Sequence, residues 1–414
     1  MKIAYVVPYV PNLIRVRPYN LISHLARNGV DVSVFTVGSG SEDARDADSL
    51  RPLCNELHYE HLPTWRSLLN CLIALPSNQP LQTVYSWQKK LFQQLVHNIK
   101  TAGDFDLVHV EHLRGSRYGV EIMSKVPETP VVWDSVDCIS HLFKQASKRN
   151  SNFIGQVVTT LELGKTQKAE GRLTSLFDRV LITSSADRDA LLDLVPTRAA
   201  PAPVSVVSNG VDLEYYQPNP DVAREPATIV FSGKMSYHAN ISMVLYLVGE
   251  IMPQIWAKQP EVRLVIVGKD PHAKIRKMAE HPQISVTGTV ADIRQYLWSA
   301  TVSVVPLVYG AGVQNKILEA MATATPVVTT SRAVSALPLV PERDVLVGDT
   351  PADFASAVLR LIEDPLLQSS VGTAGLHYVK QHHNWNTIAR QVIDLYKETI
   401  AAKKRAFGAG RQGI

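Results

Sequence analysis

An apolar, strand-like run that stops at a glycine or a small polar residue and then gives way to a helical pattern recurs along this chain, and the succession restarts midway. In the first half such runs occupy residues 2–7, 31–36, 105–110, 130–134 and 179–183. In the second they occupy residues 227–231, 262–267, 284–287 and 302–305. Continuous apolar runs suit parallel strands covered on both faces, and a parallel pair needs a crossover, usually a helix. Two such series predict an α/β chain with two doubly wound sheets facing each other. Pro196, Pro201 and Pro203 mark a hinge zone, which divides the chain into domains at 1–200 and 201–384.

Residues 309–328, YGAGVQNKILEAMATATPVV, are the stretch most suited to chemistry. A strand precedes them, Gly310 and Gly312 form a loop, and a helix begins near Gln314. A loop of this kind leaves backbone N–H groups of Val313, Gln314 and Asn315 to meet phosphate oxygens. Lys316 adds a cation in the first helical turn, and Glu319, three residues on, shares its face. Amides and Lys316 could hold a pyrophosphate while Glu319 takes ribose hydroxyls. An ordinary βα turn with a surface Lys–Glu pair fits the same spacing. Gly233, Gly268 and Gly288 close other strands of the second half and would admit a ligand close to the backbone.

The first half is less explicit. Its opening loop, residues 8–17, lacks G-x-G-x-x-G and carries Tyr9, Asn12, Arg15 and Arg17, arginines that could grip an anionic acceptor. Glu111 and His112 end one strand, and Asp134 and Asp137 end the next; ligands of doubly wound sheets sit at such ends. Residues 41–48 are acidic and small, as in a loop. The 42 Lys and Arg against 38 Asp and Glu are close to balance, and a slightly basic chain is no nucleic-acid footprint without a concentrated patch, so no nucleic-acid partner is expected. Cys54, Cys71 and Cys138 have no metal-ligand spacing and fit a reducing compartment. Residues 2–7 form a strand rather than a leader, and the apolar run at 68–76 is too short to span a bilayer.

Six motifs in order, SNGVD at 208–212, FSGKMSYHAN at 231–240, LVIVG at 264–268, VTGTVAD at 286–292, and the segments 312–319 and 319–328, resemble glycosyltransferase family 4. G-x-M-x-Y-x-x-N after the first strand of the second half is similar to a subgroup working in bacterial exopolysaccharide assembly. The resemblance implies a GT-B fold of two Rossmann-like domains. It implies a retaining, metal-independent hexosyltransferase whose co-substrate is a nucleotide sugar and whose acceptor is a glycan or lipid-linked. It implies a cytoplasmic protein, with room for peripheral contact at the inner face of the membrane. Residues 385–414 would pack back onto the first domain, making a hinge. Nucleotide-sugar contacts would fall to Gly233, Gly268, Gly288, Gly310, Gly312, Val313, Gln314, Asn315 and Glu319, with Lys234 and Lys316 on the departing diphosphate. Asp137 and His112 would be catalytic, and Arg15, Arg17 and Glu111 would meet the acceptor.

Three departures from the family pattern stand out. The first of its paired glutamates is Ala311 here. Of its basic pair, Lys234 replaces arginine and Ala239 replaces lysine, a charge that Lys316 could restore. The family's histidine after the 130–133 strand is absent, with Asp134 and Asp137 nearby. A non-catalytic nucleotide-sugar-binding protein and a UDP-sugar epimerase of the same architecture remain alternatives. The Asp-x-Asp triplets at 104–106 and 187–189 read as caps rather than metal ligands.

Overall fold

Alternate residues of β1 (Lys2–Val7) enter two different cores: Ile3, Tyr5 and Val7 on one side, Ala4 and Val6 on the other. That two-sided burial is what a continuous apolar run requires. The structure, a computed structural model, describes residues 1–12, 15–102, 105–147, 153–309 and 313–411. The chain divides into two units, Met1–Ser208 with the last helix, and Asn209–Asn384.

The first unit holds β1 with β2 (Asp31–Gly38), β3 (Glu56–His61), β4 (Leu107–Glu111), β5 (Val131–Val136), β6 (Arg179–Ile182) and β7 (Val204–Val206). All pairs are parallel, in the order β3-β2-β1-β4-β5-β6-β7. The last helix, Trp385–Arg411, lays Trp385, Ile388, Val392 and Tyr396 into the core that holds Ile3, Tyr5 and Val7.

The second unit holds β8 (Thr228–Ser232), β9 (Arg263–Val267), β10 (Ile284–Gly288), β11 (Val302–Val305), β12 (Val327–Thr329) and β13 (Leu346–Val347). These are also parallel, in the order β10-β9-β8-β11-β12-β13. Its two ends are pinned together: Val211 pairs with Asn384, and the Val211 N–H donates to the His383 carbonyl at 2.8 Å.

Two expectations need correction. The proline zone is no free linker. The Ala202 N–H donates to the Thr174 carbonyl (2.8 Å), and the Val180 N–H donates to the Pro203 carbonyl (2.9 Å). Residues 204–206 therefore become the edge strand of the first sheet, and that unit runs to Ser208. Residues 41–50 are a helix, not a loop. Glu42 and Asp43 suit its N-terminal dipole, the Asp43 carboxylate accepts the Ser39 N–H (2.7 Å), and Ala47 and Leu50 are buried beside Val10. The helix that follows β8 comes in three pieces, His238–Tyr246, a π-turn at Leu247–Ile251, and Met252–Trp256. Pro253 has no N–H to continue the α-ladder, which accounts for the break.

Candidate functional site

In a doubly wound sheet the ligand crevice opens where strand order reverses. That point is β8/β11 in the second unit and β1/β4 in the first. The candidate residues gather at both.

In the second unit, β8 ends at Gly233 and the helix after β11, Asn315–Ala322, carries Lys316 and Glu319. The Lys316 Nζ donates to the Asn240 Oδ1 at 2.6 Å and lies 4.4 Å from the centre of the Phe231 ring. The Asn240 amide in turn donates to the Lys234 carbonyl at 2.9 Å. An ammonium delivered from one strand end is thus fixed against the backbone of the other. Burial pulls the Lys316 pKa down to about 7 against the opposing pull of Glu319; burial pushes Glu319 up to about 7 against Lys316. Both side chains keep some exposure. The two groups act on each other electrostatically in a largely desolvated site.

Gly233 (φ +147°) and Gly268 (φ +150°) adopt backbones that side chains resist, and they pack on each other. A Cβ on Gly268 would lie 1.7 Å from the Gly233 carbonyl oxygen. Gly268→Ala is expected to cost about 1–3 kcal/mol of stability and to weaken any ligand held at Gly233. An unchanged thermal midpoint would mean that the two strand ends are not in contact.

The other expected residues fall into place as follows. Gly288 closes β10 with open space beside it. Lys234 is exposed, and its part here is played by its backbone carbonyl. Val313 and Gln314 precede the helix and are half-buried, Gln314 at the N-cap. Asn315 accepts a hydrogen bond from the Asn209 amide at 3.3 Å, tying the SNGVD motif to the helix start. Gly310 and Gly312, with Ala311, lie outside the described residues. Asn240 was legible as the last residue of G-x-M-x-Y-x-x-N, but its role as the Lys316 partner was not. His238, stacked on Tyr309 at 5.7 Å and hydrogen-bonded to its hydroxyl at 2.7 Å, was also missed.

The first unit corrects two assignments. Arg17 is buried; its guanidinium meets the Asp134 carboxylate at 2.8 and 2.9 Å and donates to the Val207 carbonyl at 3.0 Å. Glu111 is also buried, its two oxygens accepting from the Tyr5 and Tyr9 hydroxyls, each at 2.8 Å. Both side chains are spent inside the protein, so neither is available to an acceptor. Burial, then the Asp134 charge, pushes Glu111 up to about 7. His109 completes this interior network, stacked on Tyr5 at 4.1 Å with Nδ1 2.7 Å from the Tyr396 hydroxyl of the last helix. Burial holds His109 down at about 4, so it is neutral at pH 7. No sequence pattern signalled that network.

What stays accessible is Arg15 and part of His112. Arg15 lies over the Tyr9 ring at 4.8 Å and donates to the Val10 carbonyl at 2.9 Å. His112 takes a left-handed backbone (φ +62°) at the end of β4, with the Arg114 N–H donating to its Nδ1 at 3.3 Å. Burial, with Arg114 adding to it, lowers its pKa to about 4. A neutral imidazole of that pKa suits hydrogen bonding to a hydroxyl and is a poor general base near pH 7. Asp137 is half-buried near Asp187 and accepts from the Thr183 hydroxyl at 3.3 Å; burial, then Asp187, raises it to about 7. Ser184 is the N-cap of the helix Ser185–Leu192: its hydroxyl accepts the Asp187 N–H at 3.1 Å and donates to the Asp187 carboxylate at 2.6 Å, so Asp187 stands in the first turn rather than at the cap.

Two Rossmann-like units in succession, each with polar groups at its switch point, define the GT-B class of fold. Residues 15–215 match the model of Glycosyltransferase Family 4, and residues 226–364 match that of Glycosyl transferases group 1. The chain belongs to glycosyltransferase family 4. It is similar to alpha-maltose-1-phosphate synthase of Mycobacterium tuberculosis, 30% identical over 258 residues, 54% of this chain and 63% of the relative. The chain thus spans less than two thirds of the length of the first curated relatives it matches. In fold it is similar to sucrose-phosphate synthase of Thermosynechococcus elongatus: TM-score 0.69, 19% identity, 97% of this chain and 100% of that one. HepE of Anabaena, solved in complex with UDP, has a TM-score of 0.67 at 15% identity, covering 96% of this chain and 100% of that one.

Proposed function

We propose that the chain is a retaining glycosyltransferase, moving a hexosyl group from a nucleotide sugar to a glycan or lipid-linked acceptor without a metal. The observation that carries this reading is the Lys316 ammonium fixed beside Gly233 by Asn240. It reaches the neighbourhood of Ala239, where the family pattern expects a lysine. Breaking the bond from anomeric carbon to phosphate oxygen leaves an electron pair on the diphosphate. The acceptor oxygen takes the sugar, and its proton leaves with the departing group. Stabilising that developing charge is usually the largest contribution to catalysis. Lys316 would supply it together with the amides after β11, and Glu319 would accept from the ribose hydroxyls. Arg15 and His112 would meet the acceptor. UDP-sugars are the donors to try first because HepE was solved with UDP. Use of a nucleotide sugar for exopolysaccharide assembly would be a cytoplasmic activity; among the described residues no helix is long and apolar enough to cross a membrane.

The test is turnover of radiolabelled nucleotide sugars in EDTA, with and without a lipid extract as acceptor. Transfer of label at a rate unaffected by EDTA is expected. Loss in EDTA with recovery in manganese would reject the lysine-based account. Binding without turnover would favour the non-catalytic alternative, and a changed sugar still on its nucleotide would favour the epimerase.

A further inference from the structure

A cleft opens at the end of the second sheet away from its glycines. β8, β9 and β10 finish at Gly233, Gly268 and Gly288, whereas Thr228, Arg263 and Ile284 begin them. The register sets Thr228 beside Arg263 and Val265 beside Ser285. Successive strand residues face opposite ways, so these four share one face of the sheet. The other face is filled, with Leu264, Ile266 and Ile284 in the core. The first is not: Val265 is half-buried, and Arg263 and Ser285 are exposed. The helix that crosses from β10 to β11, Arg294–Ser299, is only about 9 Å long, against about 16 Å for each strand. So short a helix leaves the strand beginnings uncovered. The cleft between them and the helix has a volume of about 630 Å³. Small-molecule sites have volumes of roughly 300–1,000 Å³.

The lining indicates the ligand. Val222, Val265 and Pro282 supply apolar surface, and Tyr296 and Trp298 supply rings. Trp298 is fixed in place: its Nε1 donates to the Gln217 carbonyl at 2.9 Å, and the Arg294 guanidinium lies 5.1 Å from the ring centre. A ring already held gives up little freedom when a ligand stacks on it. Charge in the cleft cancels, since Arg263 pairs with Glu225 at 2.9 Å and donates to the Thr228 hydroxyl at 3.1 Å. The side chains of Gln283, Ser285, Gln295 and Ser299 and the Tyr296 hydroxyl make no hydrogen bond within the described residues. Two carboxamides and three hydroxyls are thus unspent, each able to donate and accept. Aromatic rings beside neutral two-way hydrogen-bonding groups match a ligand made of C–H faces and hydroxyls. We propose that this cleft is a binding site for a neutral saccharide, separate from the donor crevice at the opposite strand ends. The inference rests on the lining and stands independently of the assigned reaction.

The test is calorimetric titration of the full chain with maltotriose, cellotriose and mannotriose, each with and without an excess of UDP. Saturable binding of at least one is expected, at an affinity that UDP leaves unchanged, with a shift in tryptophan emission that Trp298→Phe removes. Ser285→Arg sets a long side chain into the cleft from an exposed strand position. It should weaken the binding at least about tenfold while leaving circular dichroism and the thermal midpoint unchanged. Should that variant lose its fold, Gln295→Ala, which shortens an exposed helix side chain, should weaken binding roughly threefold. Binding of none of the three sugars, displacement by UDP, or undiminished binding by both variants would overturn the proposal. So would a trimer of galacturonic acid that binds about tenfold more tightly than every neutral sugar, since the cleft would then be selecting charge.

Discussion

Replacing Arg17 with methionine is expected to lower the thermal midpoint by on the order of 10 °C, from a loss of about 3–5 kcal/mol. The guanidinium is buried against Asp134 and two backbone carbonyls. Burial pulls its pKa down, but the Asp134 charge more than reverses this and keeps it cationic. Without it Asp134 would sit uncompensated beside Glu111 and neutral His109, the situation in which breaking a buried pair is most costly. The loss should also depend on pH. Folding raises Glu111 from 4.5 to about 7, so the folded state binds more protons and stability falls as pH rises across that interval. Arg17 opposes that rise, so its removal widens the interval, and the variant's deficit should be larger at pH 8 than at pH 5. An acceptor-binding arginine would instead leave the midpoint unchanged and raise KM; that outcome would restore the role the sequence suggested.

The same residue marks where sequence reading stops. Strands were legible where both faces are buried, as in β1, because continuous apolar runs leave few alternatives. β3, Glu56–His61, escaped because it is an edge strand with partly exposed residues, and its polar alternation carries no buried-strand signal. The Lys316–Glu319 spacing was visible because both lie on one helix turn. Arg17 and Asp134 are separated by 117 positions, and His109 and Tyr396 by 287. Only the strand order brings them together, and a loop arginine looks the same whether it points to solvent or into the sheet.

Lys316→Met is expected to reduce nucleotide-sugar transfer at least tenfold, about 1.4 kcal/mol in the barrier, without lowering the thermal midpoint. The two readouts separate the functional reading from a structural Lys–Glu pair. Burial disfavours the ammonium in the free protein, as its pKa near 7 records, so methionine relieves a desolvation cost. A structural ion pair would make the same substitution destabilising. The pH dependence of nucleotide affinity gives a second, signed test. A bound diphosphate raises the Lys316 pKa, so above pH 7 binding must take up a proton and affinity falls as pH rises. Ribose hydroxyls donating to Glu319 favour its ionised form, so below pH 7 binding must release a proton and affinity falls as pH drops. Native affinity should therefore peak close to pH 7. Lys316→Met should lose the alkaline limb and keep the acid one, while Glu319→Gln should do the reverse. A flat native profile, or a Lys316→Met protein that melts earlier yet transfers sugar normally, would return Lys316 and Glu319 to the role of a surface pair.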